Sequence, residues 1–153
     1  MELKKGERIV TNARTITDAD IVLFSGLTGD YHPAHTNEIY AKKDPLLGRR
    51  IAHGLLVLSI SQGLFVRSNV FDWERDRIVL LGFNNIKFLL PVYPGDTIFS
   101  VFEVTEVRES KSRPGAKIVT LKCECKKHTG ETACTYDYIF MLYKSEDGKE
   151  KRE

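Results

Sequence analysis

The stretch "HGLLVLSISQGLFVRS", residues 53–68, decides the fold. Its residues are apolar on nearly every side of a helical wheel. A helix that is apolar all round is buried, not laid on a surface. At 1.5 Å per residue its length is roughly 24 Å. That is long enough to run across a small sheet.

Working outward, the partner that could bury such a rod lies downstream. After Asp76 the segments "RIVLLGFNNIKFLLPV", "DTIFSVFEVTEVRE", "AKIVTLKCECKKH" and "TACTYDYIFMLYK" are rich in β-branched and aromatic residues. Turn signals separate them at Tyr93-Pro94-Gly95-Asp96, Arg113-Pro114-Gly115 and Thr129-Gly130. Val119, Leu121, Cys123 and Cys125 alternate with Thr120, Lys122, Glu124 and Lys126, the pattern of a strand with one buried face. Short connections predict antiparallel neighbours. The expected fold class is α+β, an antiparallel sheet around a buried helix. A sheet of this size leaves an edge, which pairing with a second copy would remove.

Upstream, "GERIVTNARTIT" reads as extended entry. Thr17 and Asp20 have the spacing of a capping box, so a helix is expected to start there. Ile21, Phe24 and Leu27 predict a single buried stripe, and Gly26 and Gly29 its end. A second short helix is expected from Thr36 to the break at Asp44-Pro45, followed by a loop at "LLGRR".

The bulk properties narrow the function. The length fits one domain spanning residues 1–153, with a charged, frayed tail from about residue 145. A net charge of +2 gives no electrostatic case for nucleic acid or an acidic membrane. No apolar stretch is long enough to span a bilayer. Cys123, Cys125 and Cys134 are odd in number, and "MELKKGERIV" has no signal-peptide core. A reducing cytoplasm is therefore the expected compartment. Cys123 and Cys125 fall on one strand face and no Cys-x-x-Cys pair exists, so no metal site is expected.

The segment "SGLTGDYHPAHTNEIYA", residues 25–41, holds what a structural turn does not need, namely histidines beside an acid. Asp30 and His35 can face one small volume across the turn made by Pro33. A carboxylate and an imidazole sharing one water suit adding or removing water across a carbon–carbon double bond. The charge that develops on a thioester carbonyl oxygen needs a donor, and the start of the buried helix offers the Gly54 N–H. Taken singly, Asp30 and His35 read as turn and surface residues, and Gly54 as a packing glycine. His53 reads as structural, bracing the helix start through a ring hydrogen bond.

"FSGLTGDYHPAHTNEIYA", "RRIAHGLLVLSISQGL" and "NIKFLLPVYPGDTI", in that order, resemble the MaoC-like, (R)-specific enoyl-CoA hydratase family. The resemblance implies the hot dog fold, dimerised edge to edge. It implies Asp30 as the group that activates water, His35 as the group exchanging a proton with carbon, and Gly54 as the oxyanion donor. It implies a coenzyme A or acyl carrier protein thioester as substrate, with no cofactor. Two positions depart from the family pattern. His32 replaces an Asn before Pro33, and Gln62 stands where several hydratases carry a small hydroxyl residue. Both are candidate site-tuning residues. A hot dog thioesterase and a non-catalytic acyl-CoA-binding or regulatory module are the competing readings.

Overall fold

The computed structural model of the chain describes residues 2–145. Two short strands, β1 (Arg8–Val10) and β2 (Arg14–Thr15), precede three helices. These are α1 (Asp18–Thr28), α2 (Pro33–Thr36) and α3 (Glu38–Lys43). The long helix α4 (Gly54–Val66) follows, then four strands: β3 (Asp76–Phe88), β4 (Thr97–Glu109), β5 (Lys117–Lys127) and β6 (Thr132–Lys144). The strands form one antiparallel sheet in the order β1-β4-β5-β6-β3, with β2 also on β4.

The helix rests on the sheet through aromatic rings. Phe65 on α4 is fully buried, with ring centroids 4.7 Å from Phe102 on β4 and 5.8 Å from Tyr138 on β6. Phe71 and Phe140 close the cluster at 5.5 and 6.1 Å from Phe65. A small polar group sits in this apolar interior. Ser61 on α4 bonds Ser100 on β4 at 2.6 Å and the Tyr136 hydroxyl on β6 at 2.8 Å. These directional bonds fix the rotation of a helix whose apolar side chains alone would tolerate several.

Four expectations are corrected. First, β3 and β4 are not neighbours: β3 lies at the edge on β6, and residues 89–96 cross to the far side of the sheet. The crossing is held by backbone bonds, Leu89 N–H to the Ala133 carbonyl at 2.8 Å and Ala52 N–H to the Val92 carbonyl at 2.7 Å. A short connection does not require adjacency when the sheet curls around a helix. Second, α4 is not buried all round, because Leu55 is 60% exposed. Third, α1 buries Ile21 and packs Phe24 against the core, while Leu27 stands 84% exposed, with Val22 and Leu23 also exposed. Fourth, the segment after the turn is two helices, because Asn37 takes an extended conformation between them and caps α3 through Tyr40 N–H at 3.0 Å.

The capping box at Thr17 and Asp20 is present, and Arg14 pairs with Asp20 at 2.6 Å. The alternation along β5 holds, and Cys123, Cys125 and Cys134 are buried free thiols. Of the charged tail from about residue 145, Ser145 alone falls within the described residues.

Phe65→Ala removes the ring on which four others rest. It is expected to cost about 3–5 kcal/mol, read as a lower urea midpoint at unchanged slope.

Candidate active site

The Asp30 turn is built by backbone geometry. Gly29 ends α1 with φ of 78°, a left-handed conformation that favours glycine, and its N–H donates to the Ser25 carbonyl at 2.8 Å. The Asp30 N–H then donates to Thr28 Oγ1 at 3.2 Å, and Asp30 Oδ1 accepts from the His32 N–H at 3.2 Å. Pro33 occupies the first position of α2, where its missing N–H costs nothing. His32, extended as a residue before proline must be, caps α2: its Nδ1 accepts from the Ala34 N–H at 3.2 Å. The imidazole thus does the capping an asparagine amide oxygen would do.

His35 is aimed by a second segment. The Ile51 N–H donates to the Ala34 carbonyl at 3.1 Å, and the Ile51 carbonyl accepts from His35 Nδ1 at 2.7 Å. That bond puts the proton on Nδ1 and leaves Nε2 as the free acceptor of the neutral ring. The loop carrying Ile51 is itself pinned. Arg50 pairs with Glu38 at 2.8 Å and Asp18 at 3.0 Å, and the Tyr93 hydroxyl donates to the Leu47 carbonyl at 2.7 Å.

A carboxylate oxygen of Asp30 and one ring nitrogen each of His35 and His53 lie within 4.8 Å of one another. Asp30 is exposed, His35 half-buried and His53 buried. Asp30 and His35 can therefore share one water, which needs about 2.8 Å to each side. The same trio is the one group of this kind among the described residues that could approach a metal ion. The His35 and His53 rings are stacked at 3.8 Å and 26°.

Burial holds the His35 imidazole below its ordinary titration range. The Ile51 hydrogen bond opposes this, His53 adds to it, Asp30 opposes and His32 adds. Burial pushes the Cys123 thiol the other way, up to about 12, so no thiolate nucleophile is available in the core at neutral pH.

Gly54 opens α4, where the first N–H groups have no helical carbonyl behind them. A Cβ built on Gly54 would meet the Phe88 ring at 3.0 Å, so the glycine also permits a close approach. Beside it an apolar cavity of about 300 Å³ is lined by Leu47, Ile51, Val57, Phe88, Leu90 and Cys134, among others. Gln62 is not brought to this group. It lies eight positions along α4, roughly 12 Å from Gly54 at 1.5 Å per residue, and its amide donates to the Tyr138 hydroxyl at 3.2 Å. The small hydroxyl nearest to it on this helix is Ser61, one residue earlier. The ring hydrogen bond expected of His53 is present, but not as a side-chain cap of α4. The ring Nε2 instead reaches the Asp30 carbonyl at 3.0 Å and Ser25 Oγ at 3.2 Å.

One antiparallel sheet packed on a long helix is the hot dog architecture, and the acid–imidazole turn lies before the first turn of that helix. The chain matches the MaoC like domain over residues 2–124. It is 41% identical over 97 residues to protein MaoC of Klebsiella aerogenes, covering 63% of this chain but only 28% of that protein. It is 34% identical over 124 residues to the (R)-specific enoyl-CoA hydratase of Rhodospirillum rubrum, covering 81% of this chain and 78% of that enzyme. The crystal structure of a monoamine oxidase regulatory protein from Archaeoglobus fulgidus superimposes with a TM-score of 0.81 at 36% identity, over 94% of this chain and 92% of the other. The chain belongs to the MaoC-like family.

An NMR titration of His35 is expected to give a midpoint below 6.5, the ordinary imidazole value. In the unfolded chain the ring titrates near that ordinary value. The stabilisation tied to a neutral His35 is therefore complete above it and is lost as pH falls through the window beneath.

Proposed function

We propose that the chain is a hydro-lyase that adds water to, or removes it from, the 2,3 double bond of an enoyl thioester. By analogy with its relatives it is an (R)-specific enoyl-CoA hydratase or 3-hydroxyacyl-CoA dehydratase. The observation that carries the reading is the approach of the Asp30 carboxylate to the His35 ring, within 4.8 Å, next to the opening turn of α4.

In hydration, Asp30 takes a proton from water as its oxygen bonds to C3. The π electrons move through C2 onto the thioester oxygen, which the Gly54 N–H and the helix dipole stabilise. Collapse of that enolate draws a proton to C2 from Nε2 of the His35 cation, and the proton taken up by Asp30 passes back to His35 through solvent to close the cycle. With both groups on one side of the substrate, the addition is syn. In dehydration His35 Nε2 takes the C2 proton and Asp30 protonates the departing hydroxyl. The depressed titration range of His35 makes its cation a strong proton donor and its neutral form abundant at neutral pH. The apolar cavity beside Gly54 supports an acyl chain as the bound group.

We propose further that the whole chain acts as one hot dog domain, as a cytoplasmic homodimer joined along β3. Leu80, Leu81 and Phe88 on this edge strand are about half exposed, at 52%, 51% and 50%. A long apolar edge is a template for another strand. Leu81→Lys is expected to shift sedimentation from dimer toward monomer, and an unchanged dimer would place the interface elsewhere.

The reaction is tested by loss of enoyl absorbance with crotonyl-CoA and a longer enoyl-CoA. Asp30→Asn and His35→Ala are each expected to lower kcat by roughly 10²–10⁴-fold, with acyl-CoA binding retained. Release of free coenzyme A would mark a thioesterase instead. Acyl-CoA binding with no turnover across a panel of enoyl thioesters would mark a binding module.

A further inference from the structure

We infer that His53 is a positioning residue that locks the acid–base pair to the oxyanion end of α4. The inference rests on the reading of Asp30 and His35 as the reacting pair.

Three parts of the site lie on separate segments: Asp30 after α1, His35 in α2 and the Gly54 N–H at the start of α4. His53 touches or adjoins all three. It is only 2% exposed. Its Nε2 lies 3.0 Å from the Asp30 carbonyl, which can only accept, so Nε2 carries the proton and donates. Its ring face stacks on His35 at 3.8 Å and 26°. Its peptide leads directly into Gly54, the first residue of α4. Phe24, at a centroid distance of 4.9 Å, backs the ring from α1.

The chemistry of the ring argues against a merely structural role. With the proton on Nε2, Nδ1 is a bare acceptor, and it is buried without a partner among the described residues. An unpartnered buried polar atom is unfavourable, and an apolar side chain of similar volume would avoid it. What an apolar residue cannot supply is the N–H aimed at the Asp30 carbonyl. That bond fixes where the Asp30 carboxylate sits relative to Gly54, while the stack fixes the plane in which His35 Nε2 points. A displacement of about 1 Å between such groups is enough to cost roughly 100-fold in rate.

Three substitutions separate the contributions. His53→Gln keeps an N–H donor near the position of Nε2. His53→Phe keeps the stack and the volume but has no donor. His53→Leu removes both. Turnover of crotonyl-CoA is expected to fall by roughly 10- to 100-fold in kcat for Phe and Leu, with KM within about threefold, and to be largely restored in Gln. Should the Leu variant fail to fold, the order of Gln against Phe carries the test. Phe retaining wild-type kcat, or Gln as impaired as Phe, overturns the inference.

A readout without turnover separates this idea from the reaction itself. The buried Nε2–H of His53 is expected as a slowly exchanging imidazole proton, with nuclear Overhauser contacts to the Asp30–Tyr31 backbone. If the wild-type protein turns over no enoyl thioester but this proton is seen, the reaction assignment fails and the clamp stands. If the proton is absent, the clamp fails whatever the activity.

Discussion

The contact between α4 and the concave face of the sheet is the constraint on which the rest depends. Phe65 meets rings from β4 and β6, and burying one such side chain contributes on the order of 1.5–3 kcal/mol. Apolar contact holds the helix in the sheet but does not choose its rotation. Ser61 does, through short bonds to Ser100 and Tyr136 on two different strands. Once rotation and depth are set, the first turn of α4 has a fixed place, and Gly54 with it. The candidate site is therefore downstream of the core in a physical sense: Gly54 stands at the N-terminal end of a helix that the core holds in place.

The second half of the site is carried by backbone groups of two loops facing each other. The Ile51 peptide bonds Ala34 through its N–H and His35 through its carbonyl, while Ala52 bonds Val92. The His35 ring is thus oriented by a peptide that is itself tied to the strand crossing. The ion pairs of Arg50, whose side chain is 25% exposed, tie this loop to Asp18 on α1 and Glu38 on α3.

Much of this was legible in the residues. The capping box at Thr17, the four strands after Asp76 and the alternation on β5 all follow from local rules, because each depends on neighbours in sequence. The pairing of β3 with β6 was not legible, since hairpin logic treats a short connection as adjacency and cannot see a sheet curling around a helix. The exposure of Leu27 and Leu55 was misread for a related reason. Periodicity reports that a residue is apolar, not whether its partner lies in the same chain. Of the candidate residues, Asp30 and His35 fall together in space, and Gly54 opens the helix whose capping residue, His53, contacts both. Gln62 does not join them, because eight positions on a helix separate it from Gly54. His53 was underestimated because a histidine preceding a helix looks like a cap, and only three dimensions show its ring turned back onto Asp30 and His35.

The departure at His32 has a simple physical reading. The position before Pro33 needs an extended backbone and a side-chain acceptor for the Ala34 N–H. Asparagine supplies a carbonyl oxygen and histidine supplies Nδ1, provided that nitrogen is unprotonated. The bond that steadies Asp30 comes from the His32 backbone N–H and does not depend on the side chain. Exchange of the two residue types therefore leaves the geometry of the Asp30 turn intact. It changes what lies beside His35, whose ring centroid is 6.0 Å from that of His32. The exchange therefore alters the side chain facing His35 while the backbone bond that steadies Asp30 stays in place.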